Sequence, residues 1–195
     1  MMNSKNKPDI ILYGGPGSGK STQADLLVKK LHAVHMNMGR LLRETVKKKQ
    51  SGWQDIKKYM DKGELVPERI TSKLVENFIT KTPKSKRIVF DGYPRRILQV
   101  RLLRKVQDKS GRDAIMIFVD LPSKVAKDRL IKRAKIEGRL DDADPNTVAA
   151  RIKVFSEKAK EVNGYYRHAK KLIKIDGNQL IDKVARDVWE IVAAL

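Results

Sequence analysis

Cysteine is absent from the 195-residue sequence, which excludes a disulfide framework and a thiolate-bound structural zinc and fits a reducing compartment. Histidine is scarce, with His32, His35 and His168 the complete set; scattered singly, they read as surface or packing residues. No apolar run is long enough to span a bilayer, and Met1 to Pro8 is polar with no apolar signal core behind it, so no membrane partner and a cytoplasmic location are expected. Acidic residues are the other deficit: 23 Asp and Glu against 43 Lys and Arg leave a formal charge of +20. The excess is spread over stretches such as Lys47 to Lys49, Lys84 to Arg87 and Lys170-Lys171, with no RNA-binding signature beside them. A solvated basic surface accounts for that better than nucleic acid or an anionic membrane as partner. A chain of this length, 41% hydrophobic and 34% charged, is sized for a single buried core.

What is present is organised around Gly14-Gly15-Pro16-Gly17-Ser18-Gly19-Lys20-Ser21-Thr22, which follows the apolar run Ile10 to Tyr13 and opens a helical stripe at Ala24, Leu27, Val28 and Leu31. Strand, glycine-rich loop and helix in that order, with Gly-Lys-Ser closing the loop, form a phosphate-binding loop. The backbone of Gly15-Pro16-Gly17-Ser18-Gly19 would wrap phosphate oxygens and point N–H groups inward, which side chains at Gly15, Gly17 and Gly19 would obstruct, and the helix N-terminus adds its positive end there. Lys20 would reach the outer phosphates, and the Ser21 hydroxyl, helped by Thr22, would ligand Mg²⁺. Asp91 ends a later apolar strand and is the carboxylate such a site needs for the metal or its waters.

The remaining chain alternates strands and helices. Strands are expected at 9–13, 33–36, 87–91, 114–119 and 172–176, with Asn37-Met38-Gly39 as a turn and helices between. In the helix from Ile97, the inner side is read as Leu98, Leu102, Leu103 and Val106; in the last helix the stripe is Leu180, Val184, Val188, Ile191 and Val192. Short strands alternating with helices predict an α/β fold with a five-stranded parallel sheet covered on both faces. Ligands on such sheets bind beyond the carboxyl ends of the strands. The glycine loop, 37–43, 91–95 and 177–178 all fall there.

Read together, these stretches resemble the adenylate kinase family of nucleoside monophosphate kinases. The resemblance rests on Gly14 to Gln23, Gly39-x-Leu41-Leu42-Arg43, Gly63-x-Leu65-Val66-Pro67, Asp91-Gly92-Tyr93-Pro94-Arg95 with Gln99, Arg129-x-x-x-Arg133, and Arg139-x-Asp141-Asp142 followed by Arg151. It implies a P-loop NTPase fold in one kinase domain over 1–195: a core of 1–36, 81–133 and 140–195, a helical acceptor-binding excursion over 37–80, and a short lid over 134–139. The implied reaction is reversible phosphoryl transfer from Mg-ATP to AMP by a monomer. Carried over by position, Arg43 and Arg95 hold the acceptor phosphate, Gln99 reads the acceptor base, and Met38, Gly39, Gly63, Leu65, Val66 and Gly92 shape that pocket. Lys20 follows the transferring group, Arg133, Arg139 and Arg151 neutralise the transition state, and Arg129 lies over the donor adenine. The acceptor oxygen is already ionised at neutral pH, so no protein base is required.

The family usually has Thr, less often Ala, where Met38 stands and an acidic residue where Arg40 stands; one residue is inserted between Asp142 and Arg151. Arg40, at i,i+3 to Arg43, is either a second contact to the acceptor phosphate or a solvated charge. A UMP/CMP-type kinase and a P-loop ATPase acting on RNA or ribosomes are the alternatives that Met38 and the basic charge leave open.

Overall fold

A computed structural model of the chain describes residues 7–137 and 144–195. Five strands, β1 (Asp9–Tyr13), β2 (Val34–Asn37), β3 (Ile88–Asp91), β4 (Ala114–Asp120) and β5 (Leu172–Asp176), form one parallel sheet in the order β2-β3-β1-β4-β5. The helices are α1 (Lys20–Leu31), α2 (Met38–Lys47), α3 (Trp53–Asp61), α4 (Glu68–Lys81), α5 (Ile97–Ser110), α6 (Ser123–Glu137), α7 (Pro145–His168) and α8 (Ile181–Ala193). Successive side chains of a strand point to opposite faces, and the sheet uses both. Ile10, Leu12, Val89, Ile117 and Val119 pack under α1 and α8 through Ala24, Leu27, Val184, Val188 and Val192. Ile11, Met36, Phe90 and Met116 pack on the other face against α2 to α5 and α7. Each fully buried aliphatic side chain of this kind stabilises the fold by about 1.5–3 kcal/mol before entropy is counted.

Three sequence expectations are corrected. Asn37 to Gly39 is not a separate turn: Asn37 ends β2, and α2 begins at Met38, because the Asn37 Oδ1 accepts the Arg40 N–H at 2.8 Å and caps the helix directly. Leu98 is 49% exposed; Leu103 is buried and Val106 packs against the core as expected, but Gln99, Val100 and Gln107 complete the inner face of α5, because Gln99 is drawn in by polar partners. Leu180 is 82% exposed because it lies outside α8, at its N-cap with an extended backbone.

At the amino ends of the strands Arg112 ties β1 to the connection before β3. Arg112, with a 6% exposed side chain, pairs with the buried Asp9 at 3.1 Å and also donates to the carbonyls of Thr82, Pro83 and Lys86. Asp9 further accepts the Ile88 N–H at 2.7 Å. Burial pushes its carboxyl up to about 6 against the pull of Ile88 and Arg112. Arg112→Leu is expected to cost about 3–5 kcal/mol at pH 8, since it strands a buried carboxylate. Without Arg112 the folded-state pKa rises above 6 while the unfolded value stays near 3.8, so protonation favours the fold. The deficit should therefore narrow as pH falls from 8 to 6, as urea unfolding of both proteins will show.

Candidate active site

The loop after β1 ends in Gly19, the N-cap of α1, at φ 85° and with no side-chain cap, so the helix N–H groups face outward into the cleft. Two glycines of the loop are required by close approach: a Cβ on Gly14 would lie 2.7 Å from the Val119 carbonyl oxygen, and one on Gly17, at φ 78°, would lie 2.7 Å from that of Ala126. β4 and α6 thus press the loop into shape. Lys20 folds back over it, its Nζ donating to the Gly15 carbonyl at 3.1 Å. Burial, together with Arg95, Arg151 and Arg133 nearby, pulls the Lys20 ammonium down to about 7 despite the counter-charge of Asp91. An anion placed there would reverse that penalty.

Asp91 is 2% exposed at the end of β3, level with Leu12 of β1 and Asn37 of β2 in the sheet register. Its Oδ2 accepts the Asn37 Nδ2–H at 2.6 Å. His35 stands behind it, Nδ1 at 3.2 Å from Asp25 Oδ1 and Nε2 at 3.8 Å from Asp91 Oδ2, too far for a hydrogen bond. Burial pushes the Asp91 carboxyl up, but His35, Lys20 and Ser21 outweigh it and hold the group below its ordinary value. Asn37 therefore joins two functions through one amide: it caps the helix that carries Arg43 and steadies the carboxylate beside the phosphate loop.

One cleft gathers most of the residues singled out from sequence. Pro16, Gly17, Lys20, Ser21, Asp91, Met38, Gly39, Arg43, Gly63, Leu65, Val66, Gly92, Arg95, Gln99, Arg133 and Arg151 all line it. Gly15, Ser18, Gly19, Thr22 and Arg129 do not line it; Arg129 donates to the Gly177 carbonyl at 3.1 Å, just past β5. Arg139, Asp141 and Asp142 lie outside the described residues, and Ala134 continues α6, which runs to Glu137. Gly63 is pinned under α7, where a Cβ would meet Arg151 Cγ and the Thr147 carbonyl oxygen at 3.0 Å. Arg95 is oriented by its Nε–H to the Gly92 carbonyl at 2.9 Å. Burial and the nearby Arg151 and Arg43 lower its hold on its proton, opposed by Asp91.

Sequence reasoning missed several lining groups. Tyr13, Met60, Thr71 and Phe155 border the cleft, and the Tyr13 ring packs at 5.4 Å on Phe155 and 5.8 Å on Phe118. Strand alternation places Tyr13 on the α7 side, but nothing local to it signals a cleft. The buried Tyr13 hydroxyl has no hydrogen-bond partner among the described residues.

A phosphate loop and an arginine-bearing pocket opening on one cleft, at the carboxyl ends of parallel strands, define a P-loop phosphotransferase whose acceptor is itself a phosphate. The family model for adenylate kinase matches residues 12–171, and the chain belongs to that family. It is 31% identical over 185 residues to the adenylate kinase of Flavobacterium psychrophilum, covering 94% of this chain and 97% of that one. It is 32% identical to the adenylate kinase of Bacteroides thetaiotaomicron over 96% and 99% of the two chains. The corresponding protein of a Synechococcus strain is 33% identical over 91% and 92%. The family's enzymes are nucleoside monophosphate kinases, and so is this chain.

Proposed function

We propose that the chain is an adenylate kinase, moving the γ-phosphoryl group of Mg-ATP reversibly onto AMP. The observation that carries this reading is the single cleft that Lys20, Gly14 and Gly17 line together with Arg43, Arg95, Gln99, Arg133 and Arg151. The glycine loop and Lys20 hold the donor phosphates, and Arg129, beside Gly177, borders the donor base. Arg95 and Arg43 grip the acceptor phosphate; the planar guanidinium fork suits two phosphate oxygens and stays charged. Arg133 and Arg151, joined by Arg139 on the lid, offset the charge that spreads over the equatorial oxygens during transfer. Met38, Leu65 and Val66 supply an apolar wall for the acceptor base. In domain terms, 37–80 is the acceptor-binding excursion and 134–139 the short lid.

The donor set fits magnesium. Among the described residues no three acidic or histidine side chains gather into a metal cage, and Asp91, held ionised, lies beside Ser21. One carboxylate and one hydroxyl, both hard oxygen donors, match an ion that keeps waters and takes its other ligands from phosphate. Bound there, Mg²⁺ supplies charge neutralisation between the donor phosphates. Among the described residues no helix is long and apolar enough to cross a membrane; a monomer in the cytoplasm is the setting the family likeness supports.

Met38 favours a second reading, a UMP/CMP-type kinase, because a flexible thioether replaces a small polar wall at the acceptor base. Initial rates with Mg-ATP and AMP, CMP, UMP, GMP or dAMP, and with RNA but no acceptor, decide between them. AMP is expected to give the highest kcat/KM. A higher value for CMP or UMP, or ATP turnover raised by RNA alone, would overturn the proposal.

A further inference from the structure

The side-chain amide of Gln99 is held at both ends. Its Oε1 accepts the backbone N–H of Arg95 at 2.6 Å, and its Nε2 donates to Thr71 Oγ1 on α4 at 3.1 Å. Thr71 Oγ1 in turn faces the carbonyl oxygens of Pro67 and Glu68 at 3.4 and 3.5 Å, a pair of long contacts that draws its hydrogen toward its own helix turn and leaves a lone pair facing Gln99. Both residues are 3% exposed, and both line the cleft that Met38, Leu65 and Val66 also line.

A glutamine amide can normally turn over and offer its oxygen and nitrogen in either order. Here it cannot. The Arg95 N–H is a donor only, so a flipped amide would set NH₂ against N–H in a buried site. Thr71, its hydrogen drawn toward the Pro67 and Glu68 carbonyls, would meet the carbonyl oxygen with a lone pair. Each flipped contact leaves a desolvated polar group unsatisfied. The locked amide keeps one free lone pair on Oε1 and one free hydrogen on Nε2, in fixed positions.

We propose that Thr71 is a specificity-determining positioning residue: by locking the Gln99 amide it selects acceptor bases with an amino group beside a ring acceptor. Adenine offers N6–H next to N1, and cytosine N4–H next to N3. Guanine and uracil carry a carbonyl next to a ring N–H, the reverse order, and would face oxygen with oxygen and hydrogen with hydrogen. Ring size is then sorted by the apolar wall, a separate matter from the amino-against-carbonyl choice. The proposal rests on the reading that Gln99 faces the acceptor base.

The test is kcat/KM for AMP, GMP, CMP and UMP with Mg-ATP, in the wild type and in Thr71→Val, Thr71→Ser and Gln99→Ala. Valine keeps the shape of threonine and removes the hydroxyl, while serine keeps the hydroxyl. In T71V the AMP-to-GMP and CMP-to-UMP ratios are expected to fall about tenfold, the loss of one oriented hydrogen bond in a desolvated site, with KM for ATP unchanged. T71S should restore both ratios. If T71V lowers all four acceptors equally, or leaves the ratios alone while Q99A weakens AMP, the lock is wrong and the base contact stands. If Q99A leaves every acceptor unchanged, Gln99 does not face the base and both readings fall.

Discussion

Replacing Lys20 by methionine is expected to lower kcat by about 10²- to 10³-fold and, in the absence of nucleotide, to raise the melting temperature. The first effect follows from what a phosphoryl transfer requires. With the acceptor oxygen already ionised, the protein contributes position and charge, and one well-placed cation in a water-poor cleft is worth about that factor. The second follows from the surroundings of the ammonium. Burial and the crowding of Arg95, Arg151 and Arg133 pull the Lys20 ammonium down to about 7, so the nucleotide-free fold carries a charge it does not favour. Methionine matches the length of the stem, fills the space and removes the repulsion. Stability and activity should thus move in opposite directions at this residue, in melting curves and initial rates on one preparation. A variant that loses turnover only because it is less stable would place Lys20 in the scaffold instead.

The second large effect concerns Arg95. Its Nε–H is committed to the Gly92 carbonyl at 2.9 Å, which leaves the four Nη hydrogens as a planar fork. Gly92 makes that geometry possible: at φ 80° a Cβ would lie 3.2 Å from Arg95 Nη2. Arg95→Ala should lower kcat/KM for the monophosphate by about 10³-fold, the low end of what a transition-state arginine contributes, while KM for ATP stays within about threefold, the spread typical of single-residue contexts. Arg95→Lys should recover little of it, because an ammonium carries its three donors tetrahedrally on one nitrogen and cannot reproduce the planar fork that leaves two nitrogens for phosphate while a third holds the Gly92 carbonyl. Equal losses for both substrates would mean that Arg95 serves the cleft as a whole. The measurement is a full two-substrate rate matrix for each variant.

Much of this was legible in the chain itself. A glycine loop flanked by an apolar run and a helical stripe carries its own context, and the parallel sheet follows from five separate apolar runs that alternate with helices. The convergence of Lys20, Asp91 and Arg95 follows from the rule that loops at the carboxyl ends of parallel strands meet. Contacts between distant segments were not legible. Asn37 looks like a turn residue, and its bond to Asp91 depends on β2 lying beside β3 in register. Leu98 looks inward by hydropathy alone, yet the phase of α5 is set by the bonds that Gln99 makes to Arg95 and Thr71. Arg112 is one more arginine on a very basic chain until β1 brings Asp9 beside it. Side-chain polarity partners carry no periodic signature, so a pattern built on hydropathy passes over them.

The central claim, a reversible transfer between two nucleotides in one cleft, is tested most directly by phosphorus NMR of the purified protein with Mg²⁺, ATP and AMP. The expected result is growth of the two ADP resonances at the expense of the ATP γ-phosphate and the AMP signal, the reverse change when the reaction starts from ADP, and no inorganic phosphate when AMP is left out. Release of inorganic phosphate with one ADP formed per ATP while the AMP signal stays constant, or ATP left intact beside AMP, would contradict it.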